Sequence, residues 1–216
     1  MSGLLAAVAG CDQVFQLERG QIPCLDDDFA DPMLDPFRWN VLDPSNRDVR
    51  VEPTGGMLVA TLPARVDAQN GLEARKRFDF TGVMASVEVI EAPADPAIEL
   101  GFYLLDETDG YYLINFYQSS LLVRVRSLGV NVDHVVNYDP VRDRFVRMSH
   151  DVEVGTMRIE TSADGLAWTL RRDEPATVPV DSLQVLLLAH SYDGGPAAEH
   201  VAILDNFTMT GGACGK

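Results

Sequence analysis

Apolar and polar residues alternate along most of this chain, in short runs broken by turn-forming residues. The clearest alternations are Met57–Leu62, Leu72–Phe78, Val83–Val89, Ile98–Leu104 and Tyr112–Phe116. Similar runs follow at Leu121–Arg126, Val132–Tyr138, Phe145–His150, Thr156–Thr161, Ala167–Arg172, Leu183–Ala189 and Val201–Thr210. A two-residue period places successive side chains on opposite faces of an extended strand, whereas a helix needs a period near 3.6, of which almost nothing is found here. Between the runs stand Thr54-Gly-Gly, Gln69-Asn-Gly, Thr108-Asp-Gly, Ala163-Asp-Gly and Asp193-Gly-Gly-Pro. Gly supplies positive φ and Asp or Asn bonds to the backbone ahead, so each reads as a reversal. The pattern predicts an all-β, antiparallel, two-sheet sandwich or barrel, formed as one domain over residues 25–214 with a separate leader segment at 1–24.

Composition agrees with a folded core: 46% of the 216 residues are hydrophobic. The 33 acidic residues outnumber the 17 Lys and Arg, for a formal net charge of −16, and a surface this acidic repels phosphate backbones. Nucleic acid is therefore not expected as a partner. No apolar run reaches the roughly 18 residues of a spanning helix.

The first residues end in Val8-Ala-Gly-Cys11, which resembles a bacterial lipobox, in which small residues precede a Cys that becomes acylated. A basic n-region and a full apolar h-region are missing, so either the true start lies upstream or the resemblance is chance. A lipid on Cys11 is the expected route to a membrane, by tethering without spanning. Cys24 and Cys214 flank the strand-bearing region, and they either pair, clipping its start to its end, or remain two thiols. Pairing fits an exported chain, in the cell envelope or secreted, because cytosolic proteins seldom keep disulfides.

Three segments carry a family resemblance. They are Asp27-Asp-Phe-Ala-Asp-Pro-Met-Leu-Asp-Pro-Phe-Arg-Trp39, the hairpin Arg158-Ile-Glu-Thr-Ser-Ala-Asp-Gly-Leu-Ala-Trp168, and the closing Val201-Ala-Ile-Leu-Asp-Asn-Phe207. In this order the chain resembles the concanavalin-A-like lectin/glucanase superfamily, in its laminin-G-like branch. The resemblance implies a jelly-roll sandwich with first and last strands side by side, a glycan-binding sheet face, and in some members one structural calcium. Here Asp27 and Asp205, with Asp26, Asp28 and Asp31 nearby, are the candidate calcium ligands.

If the apolar register marks the core, the opposite face receives Arg75, Arg77, Glu88, Glu99, Tyr103, Tyr111, Asn115, Tyr117, Arg124 and Arg126, with Glu73 and Ser86. Tyr offers a flat stacking face and a hydroxyl, while Arg and Glu hydrogen-bond sugar hydroxyls. These residues are the candidate ligand site. The plain alternative is a solvated sheet face with cross-strand ion pairs. Glucanases of the superfamily carry Glu-x-Asp-x-x-Glu on one strand. The nearest match, Glu88-Val-Ile-Glu91, lacks the Asp, and residues three apart on a strand face opposite ways. No catalytic residue is assigned and no glycosidase activity is expected. The reading is a non-catalytic exported module that recognises a glycan or a surface protein. A structural or assembly protein and a glycoside hydrolase relative are its alternatives.

Overall fold

β-Branched and aromatic residues at two-residue spacing fit a pleated surface with one face buried, and such strands form wherever turn residues separate the runs. The computed structural model describes residues 24–45, 48–117 and 119–212. In chain order the strands among them are β1 (Trp39–Val41), β2 (Arg50–Thr54), β3 (Met57–Leu62), β4 (Ala68–Phe78), β5 (Val83–Glu91), β6 (Ile98–Leu105) and β7 (Tyr111–Tyr117). There follow β8 (Ser120–Ser127), β9 (Val130–Asn137), β10 (Phe145–Asp151), β11 (Thr156–Ser162), β12 (Thr169–Pro175), β13 (Leu183–Ser191) and β14 (His200–Gly211). Two seven-stranded sheets result, with orders β1-β4-β13-β6-β7-β8-β9 and β12-β11-β10-β5-β14-β3-β2, and every pairing between their strands is antiparallel. The all-β two-sheet sandwich expected from the alternation is what the chain forms.

The inward register also holds. Val83, Ala85, Val87 and Val89 of the second sheet face Leu100, Phe102, Leu104, Tyr112, Ile114, Phe116, Leu121 and Val123 of the first, all at most 3% exposed. Alternation is cleanest in β13, where Leu183, Val185, Leu187 and Ala189 are buried while Leu186, Leu188 and His190 are half-buried on the other face. β2 is missing from the alternation because Pro53 interrupts it. A proline is tolerated there because β2 ends its sheet and one edge of the strand needs no ladder donor.

The start of the described chain closes against its end. Asp27 and Phe207 exchange two backbone hydrogen bonds, N–H to O at 2.8 and 2.9 Å. One Asp27 carboxylate oxygen accepts from the Phe29 N–H at 2.8 Å and the other from the Trp39 indole N–H at 2.9 Å. Phe29, Trp39, Phe207 and Phe102 then form a chain of rings with centroids 6.2, 5.5 and 5.9 Å apart. The rings join β1 and β6 of one sheet to β14 of the other. Cys24 packs against this core from its margin. Cys11, Cys214 and nearly all of the 1–24 segment lie outside the described residues.

The Ser162–Trp168 reversal is built as its residues dictate. The Ser162 hydroxyl accepts from the N–H groups of Asp164 and Gly165, and an Asp164 carboxylate oxygen accepts from those of Leu166 and Ala167, both at 2.9 Å. These donors hold the Asp164 carboxyl below its usual range. Gly165 takes φ 73°, and Arg147 of β10 lies over the Trp168 ring at 4.2 Å.

Candidate functional site

The outward face of the first sheet gathers most of the expected ligand residues. β6, β7 and β8 are consecutive neighbours, so Glu99, Tyr103, Tyr111, Asn115, Tyr117, Arg124 and Arg126 come together on one surface. Arg75 and Arg77 join from β4, on the far side of β13. Arg75 is exposed, whereas Arg77 donates to the carbonyls of Leu105 and Ser182 at 3.0 and 3.2 Å, tying strand ends together. Arg124 makes a two-pronged pair with Asp133 of β9, at 2.6 and 2.7 Å. That pairing lowers the Asp133 carboxyl and raises the guanidinium.

Glu88 does not belong to this face. Its strand, β5, runs between β10 and β14 in the other sheet, so alternation gave the side of the strand correctly and the sheet wrongly. Nor is Glu88 solvated: it is 4% exposed, ion-paired with Arg144, and accepts from the Asn206 amide at 2.6 Å. Ser86, also on β5, is likewise on the second sheet and bonds Thr208 at 2.9 Å. The Glu88-Val-Ile-Glu91 segment is therefore remote in role from any groove on the first sheet.

Two residues that the sequence reading missed complete the surface. His190 of β13 lies directly across from Glu99, and Tyr192 follows two residues later. Tyr117 and Tyr192 are stacked with centroids 6.2 Å apart and planes 17° from parallel, and His190 lies 5.7 Å from Tyr192. The Tyr192 hydroxyl donates to the Pro96 carbonyl at 2.8 Å. Burial, Tyr117 and nearby Glu99 together raise its pKa. A second aromatic pair, Tyr103 and Tyr111, meets edge-on at 5.7 Å. Burial first, then Glu99 and Tyr111, push the Tyr103 phenol up to about 12.

Between these two aromatic clusters the floor is low and apolar. Glu99, Gly101 and Tyr103 face outward in turn along β6, spanning about 13 Å at strand rise. Gly101 is paired with Leu188 on one side and Asn115 on the other, and Asn115 with Leu122. Asn115 is 2% exposed, and its amide oxygen has no hydrogen-bond partner among the described residues. The Arg126 Nε, on the same face, is also without one. Of the other carboxylates near this face, Glu73 is on β4 across from Leu186, Asp133 is committed to Arg124, Glu107 pairs with Arg77, and Asp193 follows Tyr192 after β13. The surface can thus stack sugar rings at two places and hydrogen-bond hydroxyls between them, with a single central carboxylate.

The candidate calcium ligands lie beside a cavity of about 600 Å³ lined by Asp26, Asp27, Asp28, Arg38, Lys76 and Asn206 among others. Asp27 has both oxygens committed to Phe29 and Trp39, and an Asp205 oxygen accepts from the Asn206 N–H at 2.7 Å. Burial and the neighbouring Glu88 and Asp28 carboxylates raise the Asp205 carboxyl. Among the described residues no three Asp, Glu, His or Cys side chains gather as a metal-holding group.

Neither a family model nor a curated protein matches the chain. Solved structures do. An immunostimulatory antigen and pseudo β-1,3-glucanase of Mycobacterium tuberculosis is similar at TM-score 0.65 and 14% identity, over 88% of this chain and 99% of that one. An endo-β-1,3-glucanase from Pyrococcus furiosus is similar at TM-score 0.65 and 10% identity, over 88% and 95%. The chain has the concanavalin-A-like lectin/glucanase jelly-roll fold. A third protein with this glucanase fold, LamA of Zobellia galactanivorans in complex with laminaritriose and laminaritetraose, is similar at TM-score 0.60 and 13% identity, over 85% and 95%.

Proposed function

We propose that this glucanase-fold protein is an exported module that binds a neutral oligosaccharide across β13, β6, β7 and β8 without cleaving it. The observation that carries the reading is the outward face of β6. It presents one carboxylate, Glu99, then Gly101, then the phenol of Tyr103, with an aromatic cluster on either side. Retaining cleavage needs two carboxylates about 5–5.5 Å apart, one to attack and one to protonate the leaving oxygen. Glu99 has no such partner on its strand, since the outward positions two and four residues on are a glycine and a tyrosine. The tyrosines and His190 supply stacking faces, and Glu99 and the arginines supply hydrogen bonds. Structural neighbours that include a pseudo-glucanase and a protein holding laminarin oligosaccharides support this choice of ligand class. Export, acylation at Cys11 and a Cys24–Cys214 disulfide remain part of the proposal.

Calorimetric titration with laminaritriose and laminaritetraose tests it. Wild-type protein is expected to bind and to release no new reducing ends. Tyr192→Ala is expected to weaken binding about tenfold, equivalent to about 1.4 kcal/mol, by removing one face of the Tyr117 stack. Release of reducing ends that disappears in Glu99→Gln would replace this reading with a hydrolase. Silence across a glycan array, together with a stoichiometric protein partner, would replace it with an assembly role.

Calcium is tested separately. Because Asp27 is fully committed to the chain's own donors, the melting temperature is expected to be the same in calcium and in chelator. A rise of several degrees in calcium would assign the Asp27–Asp205 region to a metal after all.

A further inference from the structure

We infer that Asn115 is the group that reads the bound oligosaccharide, accepting a hydrogen bond from a sugar hydroxyl through its amide oxygen, and that the Tyr103 ring covers it until the ligand arrives. The inference rests on the glycan-binding reading above. It starts from an anomaly: Asn115 is 2% exposed, yet its amide oxygen meets no donor among the described residues. Its cross-strand partners on this face are Gly101 and Leu122, neither with a side-chain donor to offer, and the next outward residue on β7 is the buried Leu113. A buried acceptor left unmade costs stability, so its presence at the centre of a sheet face calls for a partner from outside. What an acceptor requires is a donor, and a sugar hydroxyl is an uncharged one that can be buried without the penalty of desolvating a cation.

The cover is visible in the space above Gly101. A Cβ placed at residue 101 would stand 2.5 Å from Cε2 of the Tyr103 ring and 3.3 Å from its Cδ2 and Cζ. The ring therefore lies back over Gly101, beside Asn115, in the room that the glycine leaves. An edge-on contact with Tyr111 meets it from the other side. Swung outward, it would open the floor and present its face to a sugar ring. Arg126 Nε, the unpartnered donor on the same surface, supplies the opposite half of the recognition by donating to a ring or hydroxyl oxygen.

The test pairs affinity with stability in Asn115→Leu, an apolar replacement of similar size. The inference expects affinity for laminaritetraose to fall at least tenfold while the melting temperature holds or rises, because an unmet acceptor has been removed. It also expects a tyrosine difference spectrum on ligand binding to wild-type protein that is reduced in Tyr103→Phe relative to its affinity. If Asn115→Leu fails to fold, Asn115→Ala carries the same expected loss of affinity. Unchanged affinity in the variant, or a clear fall in its melting temperature, overturns the inference and leaves the glycan reading intact. A wild-type protein that binds no oligosaccharide overturns both.

Discussion

Phe207→Ala is expected to lower the free energy of unfolding by about 3–5 kcal/mol, the usual range for emptying a buried phenylalanine site. The site has little freedom to collapse. Phe207 is fully buried, with Trp39 edge-on at 5.5 Å and Phe102 edge-on at 5.9 Å, so its ring touches two strands of the opposite sheet, β1 and β6, at once. The backbone bonds to Asp27 do not depend on the side chain, so the chain still closes but around a void. Chemical denaturation measures the loss. A change below about 1 kcal/mol would show that the ring chain is not what joins the sheets.

The second large effect belongs to Glu88. Glu88→Ala is expected to cost about 2 kcal/mol and to leave oligosaccharide affinity unchanged. The substitution strips a partner from the Asn206 amide and from Arg144. Arg144 is half-exposed and recovers water, which keeps the cost below that of breaking a fully buried pair. Glu88→Gln retains an acceptor for Asn206 and is expected to cost about half as much. Denaturation and calorimetric titration on the same samples separate the two properties. Loss of sugar binding with stability preserved would return Glu88 to the ligand site.

The contrast between Glu88 and Glu99 shows what alternation along a chain conveys. Both stand at outward positions of apolar strands, and the period-two pattern identified that correctly for each. What it does not carry is which strands lie side by side. β5 precedes β6 in sequence but pairs with β10 and β14, so a carboxylate assigned to one surface turns out to be on the other. His190 and Tyr192 were overlooked for the same reason. β13 is far along the chain and was legible as a strand, yet nothing local announces that it inserts between β4 and β6. Tyr103, Tyr111, Tyr117 and Arg124 were legible because β6, β7 and β8 follow one another as simple hairpins. The Tyr103 ring leans over Gly101, the residue paired with Asn115, and residue types alone do not specify that lean.

The position of the last strand has a consequence for how the molecule comes into being. β14 is not an edge: it runs between β5 and β3, and residue 207 also binds residue 27. Until residues 200–211 have been made, β5 and β3 have no bridge between them and the second sheet is in two pieces. The backbone of Asp27 likewise meets its strand partner only once Phe207 has been made. Such a chain closes its largest loops last, a topology associated with slow folding. The second sheet cannot be completed before the last strand is made, so truncation just before β14 is expected to cost the sandwich far more than one edge strand would.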